Sequence, residues 1–143
     1  MIIDKYLYFR AQVDQDDDDG IDDSVYVPIR SITGMTPTSA TALTIYFDSI
    51  YNTYYGAEAT ALTNDSVVLT VTAGKMKQAM EGITAAMTSN RLYQDGSITI
   101  ADDVTTTYLT SSAATPADEE VPAVYIDSAI TACASISVTA ALS

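Results

Sequence analysis

Histidine and tryptophan are missing from this chain, cysteine occurs once, and six lysines and arginines face nineteen aspartates and glutamates. Each shortage removes a class of function. Without histidine there is no histidine-dependent catalytic triad and no ordinary zinc site. A lone Cys133 forms neither an intramolecular disulfide framework nor a cysteine zinc cluster. Its setting, Ile130-Thr-Ala-Cys-Ala-Ser-Ile136, is that of a small buried residue. The formal net charge of −13 repels phosphate, so neither nucleic acid nor an anionic membrane is an expected partner. No apolar run approaches membrane-spanning length, and Met1-Ile-Ile-Asp-Lys5 lacks the basic-then-apolar pattern of a secretory leader. The charge imbalance grows along the chain. After Arg91 there is no Lys or Arg, while Asp95, Asp102, Asp103, Asp118, Glu119, Glu120 and Asp127 follow.

What is present suits a folded domain. Hydrophobic residues make up 48% of the 143 positions and charged residues 17%, a balance that buries a core and argues against disorder. The length fits one domain, residues 1–143.

The clearest unit runs from Asp65 to Asp103 and reads strand, helix, strand. Ser66-Val-Val-Leu-Thr-Val71 is β-branched and short, a strand. Thr72-Ala-Gly74 breaks it, and from Lys75 to Ser89 the period changes. Met76, Ala79, Met80, Ile83 and Met87 share one helical face, with Lys75, Lys77, Gln78 and Glu81 away from it. Flexible Met side chains on such a stripe are core filler before they are a functional box. Gly82 inside the helix costs about 1 kcal/mol against Ala and marks a close packing contact. Asp95-Gly96 turns the chain into Ser97-Ile-Thr-Ile-Ala101, a further strand.

Upstream, Lys5–Ala11 and Ser24–Arg30 read as two strands joined by Asp14-Gln-Asp-Asp-Asp-Asp-Gly-Ile-Asp-Asp23, a hairpin with an acidic solvated tip. Pro28 cannot donate to a ladder, which puts the second strand at an edge or ends it there. Ser31–Ala40, with Gly34 and Pro37, reads as a loop, and Thr41–Asp48 as a third strand. Downstream, 111–122 reads as a flexible loop carrying Asp118-Glu-Glu120. Ala123–Asp127 and Ala134–Thr139 read as closing strands. Thr41–Phe47, Val67–Thr72 and the last strand echo one another without a fixed period. The expected fold is α+β: a mostly antiparallel sheet with one main amphipathic helix, residues 75–89, packed on it.

The acidic tip is the one motif with chemical content. Its carboxylates are hard oxygen ligands of the kind Ca²⁺ takes. With Gly20 at the sixth position of an EF-hand, Gln15, Asp17 and Asp19 fill the first, third and fifth, but Tyr26 stands where a bidentate Glu is required. The EF-hand frame fails, and a solvated tip outweighs a different Ca²⁺ site. Asp102-Asp103 is no general acid/base pair, because neighbours on a strand point to opposite faces; both read as turn formers, and Asp22-Asp23 and Glu119-Glu120 fare no better. Gly74-Lys75 lacks the rest of a phosphate loop. No catalytic, cofactor or metal site is expected. The tyrosine-dense stretch after the third strand reads first as a roof over the core. The sharper reading is a contact surface, since tyrosine is stiff and amphipathic, and it makes Tyr6 and Tyr8 on the first strand and Tyr46, Phe47, Tyr51, Tyr54 and Tyr55 the candidate contact residues.

Three stretches of the central unit, Asn64 to Thr72, Gly74 to Glu81 and Gly96 to Asp103, resemble small virion proteins of marine tailed phages, cyanophages especially, as does Thr131 to Ile136. The resemblance covers about half the chain and carries no functional residue. It implies a non-enzymatic virion structural protein, made in the host cytoplasm, carried on the capsid surface and oligomeric. A decoration (cement) protein bound to the major capsid protein is favoured over a tail or neck component by small size and lack of repeats. The competing class is a Ca²⁺-dependent binding or adhesion module using the acidic tip. An enzyme comes third, because its acid/base groups would have to converge from distant segments.

Overall fold

The computed structural model describes residues 5–48, 65–88, 96–108 and 118–138. In chain order the strands are β1 (Tyr6–Arg10), β2 (Ser24–Pro28), β3 (Ile32–Pro37), β4 (Ala42–Phe47) and β5 (Asp65–Val71). The helix α1 (Met76–Thr88) follows, then β6 (Ser97–Asp102), β7 (Thr106–Tyr108), β8 (Asp118–Glu120), β9 (Val124–Tyr125) and β10 (Ile130–Ser137).

Two four-stranded sheets take most of these strands. The first has the order β2-β1-β6-β9 and the second β10-β5-β4-β3; β7 and β8 form a small ribbon of their own. Every described pairing is antiparallel except β1 with β6, which run side by side in the same direction. The chain is therefore strand-rich with a single helix among the described residues, an α+β composition in two antiparallel-rich sheets where one was expected.

Alternation explains the core. In β1 and β2, Leu7, Phe9, Val25 and Val27 point inward, and in β6 Ile98 and Ile100 do the same. The second sheet contributes Leu43, Ile45 and Phe47 from β4, Val67, Leu69 and Val71 from β5, and Ile130, Cys133 and Ile136 from β10. These residues form one cluster, which also takes in Ala79, Ile83 and Ala86 of α1. Met76, Met80 and Met87 pack partly buried against it, the gap-filling role their flexibility suits. Cys133 is buried, as a small residue in an apolar strand should be.

Several expectations change. The strands that flank the helix, β5 and β6, lie in different sheets, so α1 lies between a strand of one sheet and a strand of the other. Residues 32–37, read as a loop, form β3. Gly34 and Pro37 weaken a strand, but β3 is the outermost strand of its sheet, where a missing N–H is tolerated. The tail of the expected loop 111–122 holds β8, in which Asp118–Glu120 pair with Thr106–Tyr108; residues 111–117 lie outside the described residues, as does Ser89 at the end of the predicted helix. Where Pro28 was expected to mark an edge or an end, it marks both: β2 stops there and borders its sheet. The echo among the third, fourth and last strand patterns falls on β4, β5 and β10, which are neighbours in the second sheet.

Gly82 has a concrete reason. A Cβ there would stand 3.0 Å from both Cβ and Oδ2 of Asp127. Asp127 cannot easily withdraw, because its Oδ1 accepts from Gln78 Nε2 at 2.9 Å and from the Ala129 N–H at 2.8 Å. The glycine lets the turn before β10 approach the helix.

Candidate interaction surface

The outward positions of the first sheet form the surface of interest. Because Leu7 and Phe9 point in, Tyr6, Tyr8 and Arg10 point out; on β2, Ser24 and Tyr26 do so for the same reason. The hairpin register sets Tyr8 opposite Tyr26. Their ring centroids are 4.9 Å apart, and Tyr6 meets Tyr26 edge to face at 6.3 Å. The Tyr26 hydroxyl reaches across β1 to Ser97 Oγ on β6, 2.6 Å away. The ring is thus fixed at its tip and along its edges, yet Tyr26 remains 51% exposed and Tyr6 39%. Tyr8 is more enclosed, and burial pushes its hydroxyl above the usual tyrosine range, with Arg10 opposing the rise.

Arg10 closes one end of this row. Its guanidinium carbon sits 5.6 Å from the Tyr8 ring centroid. Its Nε and Nη2 donate to the two oxygens of Asp102 at 2.8 and 2.7 Å, a bidentate fork, and Nη1 donates to Asp18 at 3.4 Å. The bonds to Asp102 push the guanidinium higher still above its range, against the opposing effect of burial. Asp18 also accepts from Ser24 Oγ at 2.7 Å.

The acidic tip is exposed over most of its described residues, as a solvated tip should be, and it is also held by its own hydrogen bonds. A 3₁₀ turn spans Gln15–Asp17. Asp23 accepts from Gln12 Nε2 and from the Gly20 N–H, both at 2.6 Å, and from the Asp19 N–H at 3.1 Å. The backbone bond from Asp19 is the main reason its carboxyl is held below the usual range, and Gln12 adds to it. Asp22 accepts from the Val138 N–H at 3.0 Å, tying the tip to the chain beyond β10. Among the described residues no three carboxylates or thiols converge as metal ligands would.

Asp102 closes β6 and Asp103 follows it; the two carboxylates bond different partners, and both do more than form a turn. Asp103 Oδ1 accepts from the Tyr125 hydroxyl at 2.6 Å and from the Cys133 N–H at 2.9 Å. Burial, then the bond to Asp103, raises the Tyr125 hydroxyl well above the usual tyrosine range. Burial also pushes the Cys133 thiol up to about 12, helped by the charge of Asp103, which leaves it protonated and a poor nucleophile near neutral pH.

The predicted contact residues separate. Tyr6 and Tyr8 come together, joined by Tyr26, whose place opposite Tyr8 was implicit in the hairpin register. Tyr46 lies on the second sheet, beside an open groove of about 440 Å³ lined with Thr33, Gly34, Met35 and Thr36. Phe47 is a correction: it is fully buried, because its neighbour Tyr46 faces outward and adjacent strand residues cannot both do so. Tyr51, Tyr54 and Tyr55 lie outside the described residues. No family model, curated protein or solved structure matches the chain.

Proposed function

We propose that this chain is a non-enzymatic structural protein of a tailed-phage virion, a capsid decoration protein that docks on the major capsid lattice through the tyrosine face of its first sheet. The observation that carries the reading is the row Tyr6–Tyr26–Tyr8, held rigid yet left open on an acidic domain. Fixed aromatic rings supply contact area at little entropic cost, and tyrosine is enriched where partners meet. The resemblance of the strand–helix–strand unit to marine phage virion proteins supplies the setting. Asp102, Asp103 and Asp23 are engaged in hydrogen bonds that hold segments together, which favours a structural role over acid/base chemistry. An acidic exterior keeps a repeated coat component soluble and off the packaged DNA. In this reading α1 packs its buried Ala79–Ile83–Ala86 stripe on a sheet, and copies of the chain form an oligomer whose multivalence adds avidity.

The test is co-sedimentation of the purified chain with cyanophage head shells and, separately, with tails, alongside light-scattering mass determination with and without EDTA. Saturable binding to shells that falls at least tenfold in Tyr26→Ala is the expected result. Binding to tails alone would move the protein to the tail or neck. An EDTA-dependent change in mass would favour the Ca²⁺-dependent module.

A further inference from the structure

We propose that the occupant of the tyrosine face is an arginine side chain from a partner protein, carried on a short extended basic segment that runs from Tyr26 toward the 14–23 tip. The inference rests on the reading of this face as the docking surface and names what that surface recognises.

The molecule already contains the interaction once. Arg10 stacks on Tyr8 while Asp102 and Asp18 take its N–H groups, so a tyrosine ring backed by carboxylates is a working guanidinium site in this fold. Tyr26 and Tyr6 extend the same row outward and remain half open. The Tyr26 ring is preorganised by its bond to Ser97 and its two ring contacts, so a second cation stacked on it orders little that is not ordered already. Arginine suits the position better than lysine, because its planar, weakly hydrated head stacks on a ring and still donates sideways.

Charge selects the same partner. Beyond Arg10 the row leads to the tip, where Asp17 and Asp19 are exposed and Arg10 is already held by Asp102 and Asp18. From Tyr6 to Arg10 the strand spans about 13 Å, at roughly 3.3 Å per residue, so four to six extended residues of a partner would be about enough to cover both features. A second copy of this chain, itself at −13, is the less favourable occupant, and nucleic acid is repelled outright.

The experiment uses the full chain, ¹⁵N-labelled, titrated with three capped probe peptides of one design: Gly-Arg-Gly-Arg-Gly, its Lys counterpart and its Glu counterpart. The expected result is saturable shifts at Tyr6, Tyr8, Tyr26 and the 17–19 amides with the Arg peptide, weaker binding of the Lys peptide and none of the Glu peptide. Tyr26→Ala should weaken the Arg peptide about fivefold, while Tyr26→Phe, which keeps the ring and its two ring contacts and loses only the tie to Ser97, should weaken it less than about twofold. Tyr6→Ala, at the exposed start of β1, provides the same test should Tyr26→Ala fold poorly. Asp17→Asn with Asp19→Asn should weaken binding and flatten its dependence on salt. Equal binding of the Arg and Lys peptides, untouched by either tyrosine substitution, would reduce the effect to net charge and overturn the inference. So would shifts centred away from the first sheet. Head-shell binding that needs Tyr26 without any peptide binding would overturn the inference and leave the docking reading standing. Peptide binding at Tyr26, with head-shell binding indifferent to Tyr26→Ala, would do the reverse.

Discussion

Asp22–Asp23 and Asp102–Asp103 are the same dipeptide in two places, and they differ in what depends on them. At the tip, Asp22 takes one bond from the distant Val138 N–H, but Asp23 serves its own loop, taking hydrogen bonds from Gln12, Asp19 and Gly20. At the end of β6, Asp102 clamps Arg10 of the neighbouring strand, and Asp103 holds Tyr125 before β10 and the backbone of Cys133 within it. Asp103 thereby ties the first sheet to the second. The lesson is that a carboxylate's worth follows from how far apart in the chain its partners are and how well water is excluded from them.

The sharpest test of that difference is Asp103→Ala, which leaves the Tyr125 hydroxyl and the Cys133 N–H without their acceptor. A loss of about 2–4 kcal/mol in urea unfolding is expected, against about 1 kcal/mol for Tyr125→Phe, which removes donor and demand together. An equal loss in the two variants would remove the argument for Asp103 as the tie between sheets. Next comes the fork. Asp102→Ala leaves a guanidinium that is only 19% exposed with the longer Asp18 contact alone, and a loss of about 2 kcal/mol is expected, with Arg10→Lys costing about half as much because it keeps charge but not the bidentate geometry.

The tip should show itself in pH more than in stability at neutrality. Asp23 has its carboxyl lowered in the folded chain, so its contribution is present above the ordinary aspartate value and is lost as pH falls through the folded one. Unfolding curves for wild type and Asp23→Asn should therefore differ at pH 7 and converge as pH drops below about 4. A gap that does not narrow at all as pH falls below about 4 would place the effect elsewhere. The smallest change is expected for Asp17→Asn, within about 0.5 kcal/mol at neutral pH, since Asp17 is exposed. A larger loss there would mean that the tip is as structural as the β6 end.

Much of the backbone was legible in the sequence, and for local reasons. The acidic hairpin, the helix stripe at Met76–Met87, β5, β6 and the end of β2 at Pro28 each follow from periodicity or a single residue's stereochemistry over a few positions. β3 was not, because Gly34 and Pro37 are loop residues by propensity, and their tolerance depends on β3 being an edge. The start of β10 at Ile130 was missed because Ala132 and Cys133 carry weak strand signals, while its pairing with β5 supplies what propensity does not. Of the surface residues, Tyr6 and Tyr8 were visible by composition and spacing. Tyr26 needed the hairpin register, and Phe47 needed the knowledge that Tyr46 faces out.

The sequence by itself determined the class of elements, the acidic balance of charge and the side-chain types that are missing, since these depend on residue type and on spacing within a turn or two. Only the tertiary structure decided that β5 and β6 belong to different sheets, that Arg10 meets a carboxylate 92 positions away, and that three tyrosines share one face. Those facts depend on which strands pair and in which register. Pairing is settled by burying two sheets' apolar faces at once, a condition on the whole chain that no local pattern contains.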